Sequence, residues 1–129
     1  MTETGLTTQG ETHILLVEDE VDDAIATKRG LPEAAGFRVT HVRTGNDALE
    51  AAGRTDFHAA LIDHRLPDLS GVELCRRLRS LGFAGPIILL SSVRQDAVIG
   101  QAFEAGADDF IVKTSAYGTR LQDAVRSRG

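Results

Sequence analysis

At 129 residues, 42% hydrophobic and with one cysteine, the chain suits a single compact domain with a two-sided core, leaves no room for a second, and cannot close an internal disulfide. A formal net charge of -5, with Glu18, Asp19, Glu20, Asp22 and Asp23 in one block, argues against direct nucleic-acid binding and for a cation site or a basic partner. Apolar stretches such as Ile87 to Leu90 are far shorter than the roughly 20 residues of a membrane span, and the polar start from Met1 to Thr12 has no signal-peptide core, so a soluble, cytoplasmic protein is expected.

Residues 2 to 12 are Thr, Gly, Glu and Gln with one Leu and no periodicity, which reads as a flexible tail over 1–12. From His13 onward, apolar runs of strand length near 13–17, 37–42, 57–62, 86–90 and 109–112 alternate with helical stretches, giving one domain over 13–128. The first helix carries Gly30 and Pro32; proline removes a hydrogen bond and restricts its predecessor, so a kink or break is expected from Gly30 to Pro32. Gly36, Gly53, Gly82 and Gly106 fall where successive helices should stop, glycine being the residue that accepts a left-handed helix end. Leu74, Cys75, Leu78 and Leu81 form an apolar stripe at helical spacing, so Cys75 reads as core rather than as a nucleophile. Tyr117, Leu121, Ala124 and Val125 repeat at four and three and would share one face of a closing fifth helix.

Strands joined by helices are parallel, with right-handed crossovers, so the fold class is α/β. A doubly wound five-stranded sheet in the order 2-1-3-4-5 has its switch point between strands 1 and 3. Glu18 and Asp19, Asp63, Ser91 and Lys113 each stand just past an apolar run, so such a sheet gathers them at its carboxyl edge, where open α/β folds hold ligands. Three carboxylates within about 5 Å repel by roughly 1 to 4 kcal/mol per pair. Lys113 supplies one compensating charge, and a hard divalent ion suits the rest. Alone, each residue has a plainer reading: Asp63 as a cap or turn residue, Glu18 and Asp19 as favourable charge at a helix amino terminus, Ser91 as a cap and Lys113 as a solvated strand end. Asp22, Asp23, Asp68, Asp108 and Asp109 read as solvated or capping, and His64 as bordering the site.

Four stretches in order resolve that choice: Leu15-Leu16-Val17-Glu18-Asp19, Leu61 to Gly71, Pro86 to Ser91, and Ala105 to Lys113. Over residues 13 to about 126 the chain resembles the receiver domain of bacterial response regulators, the CheY-like family of two-component signalling. The resemblance implies the 2-1-3-4-5 sheet with helices on both faces, and Asp63 as the acceptor of a phosphoryl group from the phosphohistidine of a sensor histidine kinase or histidine phosphotransfer protein. It implies Mg²⁺, with Mn²⁺ as a substitute, bound by Asp19, Asp63 and the Arg65 carbonyl, with Glu18 acting through water. Ser91 would hydrogen-bond a phosphoryl oxygen and Lys113 pair with its charge. Ser91 and the aromatic Phe110 would switch the face of the fourth helix, fifth strand and fifth helix, where Val93, Ile99 and Phe110 lie. A downstream protein, an attached output domain or a second copy of the chain would read that face. Such a domain catalyses its own phosphorylation and dephosphorylation but is mainly a signalling switch.

Two positions depart from the family pattern. Thr114 stands where most receivers have proline after the lysine; a cis bond before a non-proline residue costs about 2.5 to 4 kcal/mol, so a trans Lys113–Thr114 peptide and an altered loop are expected. The resemblance places Arg65 at a position that faces the phosphoryl group and its attacking water, so it and Val93 are expected to tune the phosphoryl lifetime. A haloacid-dehalogenase-like phosphatase would need its nucleophile at the end of strand 1 and a second Asp two residues later, which Glu18-Asp19-Glu20-Val21 lacks. A flavin module is disfavoured by the acidic loop after strand 1. A receiver-like docking or dimerisation module that needs no phosphorylation shares the fold and remains the alternative.

Overall fold

The computed structural model describes residues 11–114 and 116–126. Five strands, β1 (Thr12–Val17), β2 (Phe37–Val42), β3 (Ala59–Asp63), β4 (Ile87–Ser91) and β5 (Asp109–Val112), alternate with five helices, α1 (Val21–Arg29), α2 (Gly45–Arg54), α3 (Gly71–Ser80), α4 (Asp96–Glu104) and α5 (Gly118–Arg126). All pairings are parallel, in the order β2-β1-β3-β4-β5. β1, β3 and β4 occupy the middle and carry the buried apolar runs Ile14 to Val17, Ala59 to Ile62 and Ile87 to Leu90, as expected of strands covered on both faces; β2, at the edge, is buried only at Phe37.

Side chains alternate across the sheet with period two, and this divides the core. Ile14 and Leu16, Ala59 and Leu61, Ile88 and Leu90, and Ile111 face α1 and α5, meeting Ala24, Tyr117, Leu121, Ala124 and Val125. Leu15 and Val17, Ala60 and Ile62, and Ile87 and Leu89 face α2, α3 and α4, meeting Ala48, Val72, Leu74, Cys75, Leu78 and Ala102. Cys75 is buried as expected, and burial pushes its thiol up to about 11. The stripe on the fifth helix is confirmed, whereas Leu81 lies past the last turn of α3 and is 64% exposed.

The break expected in the first helix is its end. α1 stops at Arg29, and Pro32 leads into a single 3-10 turn, Glu33–Ala35, which Gly36 closes at φ 92°. Gly82 and Gly106 also adopt positive φ, but Gly53 does not: it sits inside α2, which ends on Thr55. Two helices start on the side-chain caps their sequences announce, Thr44 accepting from the Asp47 N–H and Ser70 from the Glu73 N–H, both at 3.0 Å. Asp68 accepts from the Gly45 and Asn46 N–H groups, both at 2.8 Å, tying the loop after β3 to the start of α2. Asp108, expected to be solvated or capping, does more: it pairs with Arg79 at 2.9 Å and accepts from the Ile87 N–H. The described residues contain no cis peptide, so Lys113–Thr114 is trans. Of the expected tail, residues 1 to 10 lie outside the described residues, and Thr12 already belongs to β1.

Candidate functional site

Register alone brings the charged residues together. Val17 pairs with Ile62 and Asp63 with Leu90, so Glu18, one residue past β1, stands level with Asp63. Ser91 pairs with Val112, and the Lys113 N–H donates to the Ser91 carbonyl at 2.7 Å. The period-two alternation then aims Glu18, Asp63 and Lys113 to the α1/α5 side and Ser91 to the other. Around them opens a cleft of about 400 Å³ lined by Asp19, Asp23, Asp63, His64, Arg65, Ser91 and Lys113, among others.

Lys113 organises the acids. Its ammonium donates to Asp63 Oδ1 at 2.7 Å, Asp23 Oδ2 at 2.8 Å and Glu18 Oε1 at 2.9 Å. Only 6% of its side chain is exposed. Burial opposes its charge, but its hydrogen bonds to Asp23, Asp63 and Glu18 outweigh burial and raise its pKa, so it is an ammonium at any physiological pH. Asp63 is 8% exposed, and its Oδ2 accepts from the Arg65 N–H at 3.0 Å. Glu18 is fully buried; Oε2 accepts from the Glu20 N–H at 3.1 Å. Burial raises the pKa of Glu18, and the Lys113 hydrogen bond only partly opposes that.

Asp19 sits at the cleft's rim, 3.5 Å from Arg43 in an exposed pair of the sort that contributes little. Ser91 is buried, and its hydroxyl donates to the Val93 carbonyl at 2.7 Å. Val93 itself is 46% exposed and does not line the cleft. Phe110 is half-buried, packed against the core on the α2–α4 side. His64 borders the cleft as expected; its Nδ1 is buried without a hydrogen-bond partner among the described residues, and burial, then Arg65, lowers its pKa.

No three His, Cys, Asp or Glu side chains close a cage for a metal among the described residues. Mg²⁺ does not need one: it retains several waters and is held by one or two carboxylates plus phosphate oxygens. The hard oxygens of Asp19 and Asp63 on an open cleft fit that habit.

Sequence reasoning missed Asp23. In the acidic block it looked solvated, yet it lies one turn before Thr27, which is buried against α5, so it heads the inward stripe of α1. That spacing was available in the sequence.

Comparison with known proteins agrees with this geometry. Residues 14–126 match the family described as Response regulator receiver domain. The transcriptional regulatory protein CseB of Streptomyces coelicolor is 44% identical over 107 residues, covering 80% of this chain and 43% of CseB. A CheY-like response regulator receiver domain protein from Methanospirillum hungatei superposes with a TM-score of 0.82 at 26% identity, covering 91% of this chain and 92% of the other. A response regulator from Burkholderia pseudomallei, solved with a phosphorylated aspartic acid, a calcium ion and citrate, gives a TM-score of 0.81 at 27% identity, covering 91% of this chain and 68% of the other. The chain belongs to the response regulator receiver family of two-component systems. It spans about half the length of the curated relatives it matches. Among the described residues, no helix is long and apolar enough to cross a membrane.

Proposed function

We propose that this domain accepts a phosphoryl group on Asp63 from the phosphohistidine of a sensor histidine kinase or a histidine phosphotransfer protein. An Asp63 carboxylate oxygen attacks phosphorus, the P–N bond breaks with its electron pair returning to the imidazole, and an aspartyl phosphate remains. The observation that carries this reading is the contact of 2.7 Å between the Lys113 ammonium and a carboxylate that stands at the sheet edge and is nearly buried.

Lys113 orients Asp63 before transfer and afterwards faces the charge on the phosphoryl oxygens; both side chains are nearly buried, so their contact is weakly screened. Asp19, Asp63 and the Arg65 carbonyl would hold Mg²⁺, or Mn²⁺ in its place, with Glu18 acting through water; when bound, the ion neutralises charge on the transferring oxygens. The Ser91 hydroxyl, now on the Val93 carbonyl, would leave it for a phosphoryl oxygen, and Phe110 would repack in response, altering the surface of α4, β5 and α5. A downstream protein, an attached output domain or a second copy would read that surface. The phosphorylated aspartic acid in the Burkholderia pseudomallei regulator, together with the calcium ion solved with it, supports the same chemistry here.

The test is incubation with acetyl phosphate and Mg²⁺ followed by intact-mass measurement. The wild type gains one phosphoryl mass and Asp63→Asn gains none; no gain in the wild type would leave a docking module that works without phosphorylation.

A further inference from the structure

The Lys113 ammonium has three N–H bonds, and the three acids that take them come from three elements. Glu18 and Asp63 stand at the ends of β1 and β3, whereas Asp23 reaches in from the first turn of α1 at 2.8 Å. That turn is anchored from behind: the Tyr117 hydroxyl donates to the Asp23 carbonyl at 3.3 Å and shares a hydrogen bond of 2.7 Å with the buried Thr27 hydroxyl. The Asp23 carboxylate is therefore presented to the cleft by a fixed backbone rather than by a mobile surface. Its presence sets four formal negative charges, on Glu18, Asp19, Asp23 and Asp63, around one enclosed lysine.

Two consequences follow from Coulomb's law and hydrogen-bond geometry. With its third N–H engaged, the ammonium is held on all sides and presents a fixed direction to whatever binds at Asp63. An extra anionic charge near the cleft also deepens the potential that attracts a divalent cation. We propose that Asp23 is a positioning residue of this site, fixing Lys113 from the α1 side and strengthening the cleft's hold on a divalent cation. This rests on the receiver reading, but neither readout below requires phosphoryl transfer.

The wild type, Asp23→Asn, Asp23→Glu and Asp22→Asn are compared in two measurements. One is the affinity for MgCl₂ alone, from amide NMR shifts; the other is the rate at which acetic anhydride acetylates Lys113, followed by peptide mass. Asp23→Asn is expected to bind Mg²⁺ roughly threefold to tenfold more weakly and to acetylate at Lys113 several times faster. Asp23→Glu, which keeps the charge, lies closer to the wild type in Mg²⁺ affinity, and Asp22→Asn, an exposed neighbour on the same turn, matches it. Unchanged Mg²⁺ affinity or unchanged Lys113 reactivity in Asp23→Asn overturns the proposal, as does an equal loss of Mg²⁺ affinity in Asp22→Asn. Absence of phosphoryl uptake by the wild type would count against the receiver chemistry instead and leave both readouts standing.

Discussion

Glu18 is the most enclosed acid among the described residues, and its ionised form is held in place mainly by Lys113. Because burial raises its folded pKa above the ordinary 4.5, the stability it contributes is complete below 4.5 and is lost as pH rises through the folded value. Lowering the pH from 7 towards 5 therefore favours the wild type over Glu18→Gln, whose amide cannot titrate. Urea midpoints of the two proteins should move in the wild type's favour over that range; a gap that stays constant or moves the other way contradicts this account of Glu18. Arg65 offers a second test at the same scale. Its N–H bond to Asp63 Oδ2 survives in Arg65→Ala, so only charge and bulk beside the acceptor are removed. Loss of the phosphoryl group should become severalfold faster as water gains access, and an unchanged rate would remove Arg65 from any timing role. Asp63, Ser91 and Lys113 were legible in the sequence because each ends an apolar run, and a strand end is a position that sequence pattern marks well. Asp23 was not read, because within its block of five acids only the four-residue spacing to Thr27 distinguishes the one that turns inward. The hydroxyl of Ser91 gave no sign of its bond to the Val93 carbonyl, since that depends on the path of the loop.

Elements were readable where one signal acted alone. Alternating apolar runs located every strand to within two residues, and Leu121, Ala124 and Val125, with Tyr117 just before the helix, gave the buried face of α5. Mistakes arose where a residue type was read without its neighbours. Gly53 is a helical residue because α2 can end on Thr55, whose N–H donates to the Ala51 carbonyl, and Leu81 leaves the core because α3 ends one residue earlier. Gly71 shows how an element boundary shapes the site. It opens α3, donates to the His64 carbonyl at 2.9 Å, and packs so closely that a β-carbon would press on the Asp63 carbonyl oxygen and lie 2.8 Å from Leu89 Cδ1. Neither the backbone of β3 nor a fully buried leucine can yield without moving the acceptor. Gly71→Ala should lose about 2 to 3 kcal/mol of stability in urea unfolding, and a loss under about 0.5 kcal/mol would show that the close approach is not a constraint.

The whole molecule has one organising feature, the reversal of winding between β1 and β3. It puts two strand ends side by side with no helix above them, and the acids of this chain fill that gap. Chain order supplied the topology, since helical crossovers force parallel strands, but the side on which each group faces came from register, which no composition reports. The surface of α4, β5 and α5 stands at the other end of the proposed switch, carrying the half-buried Ile99 and Phe110 and the exposed Val93 near the hydroxyl of Ser91. In the proposed function, both ends of that switch depend on a covalent charge at a single carboxylate. The most direct measurement is therefore to phosphorylate the protein with acetyl phosphate and Mg²⁺, reduce it with sodium borohydride, and map the peptides by mass spectrometry. An acyl phosphate at Asp63 is reduced to homoserine at that residue alone, which is the predicted result; reduction at another acid, or none where phosphoryl mass has been gained, would contradict the assignment of Asp63 as acceptor.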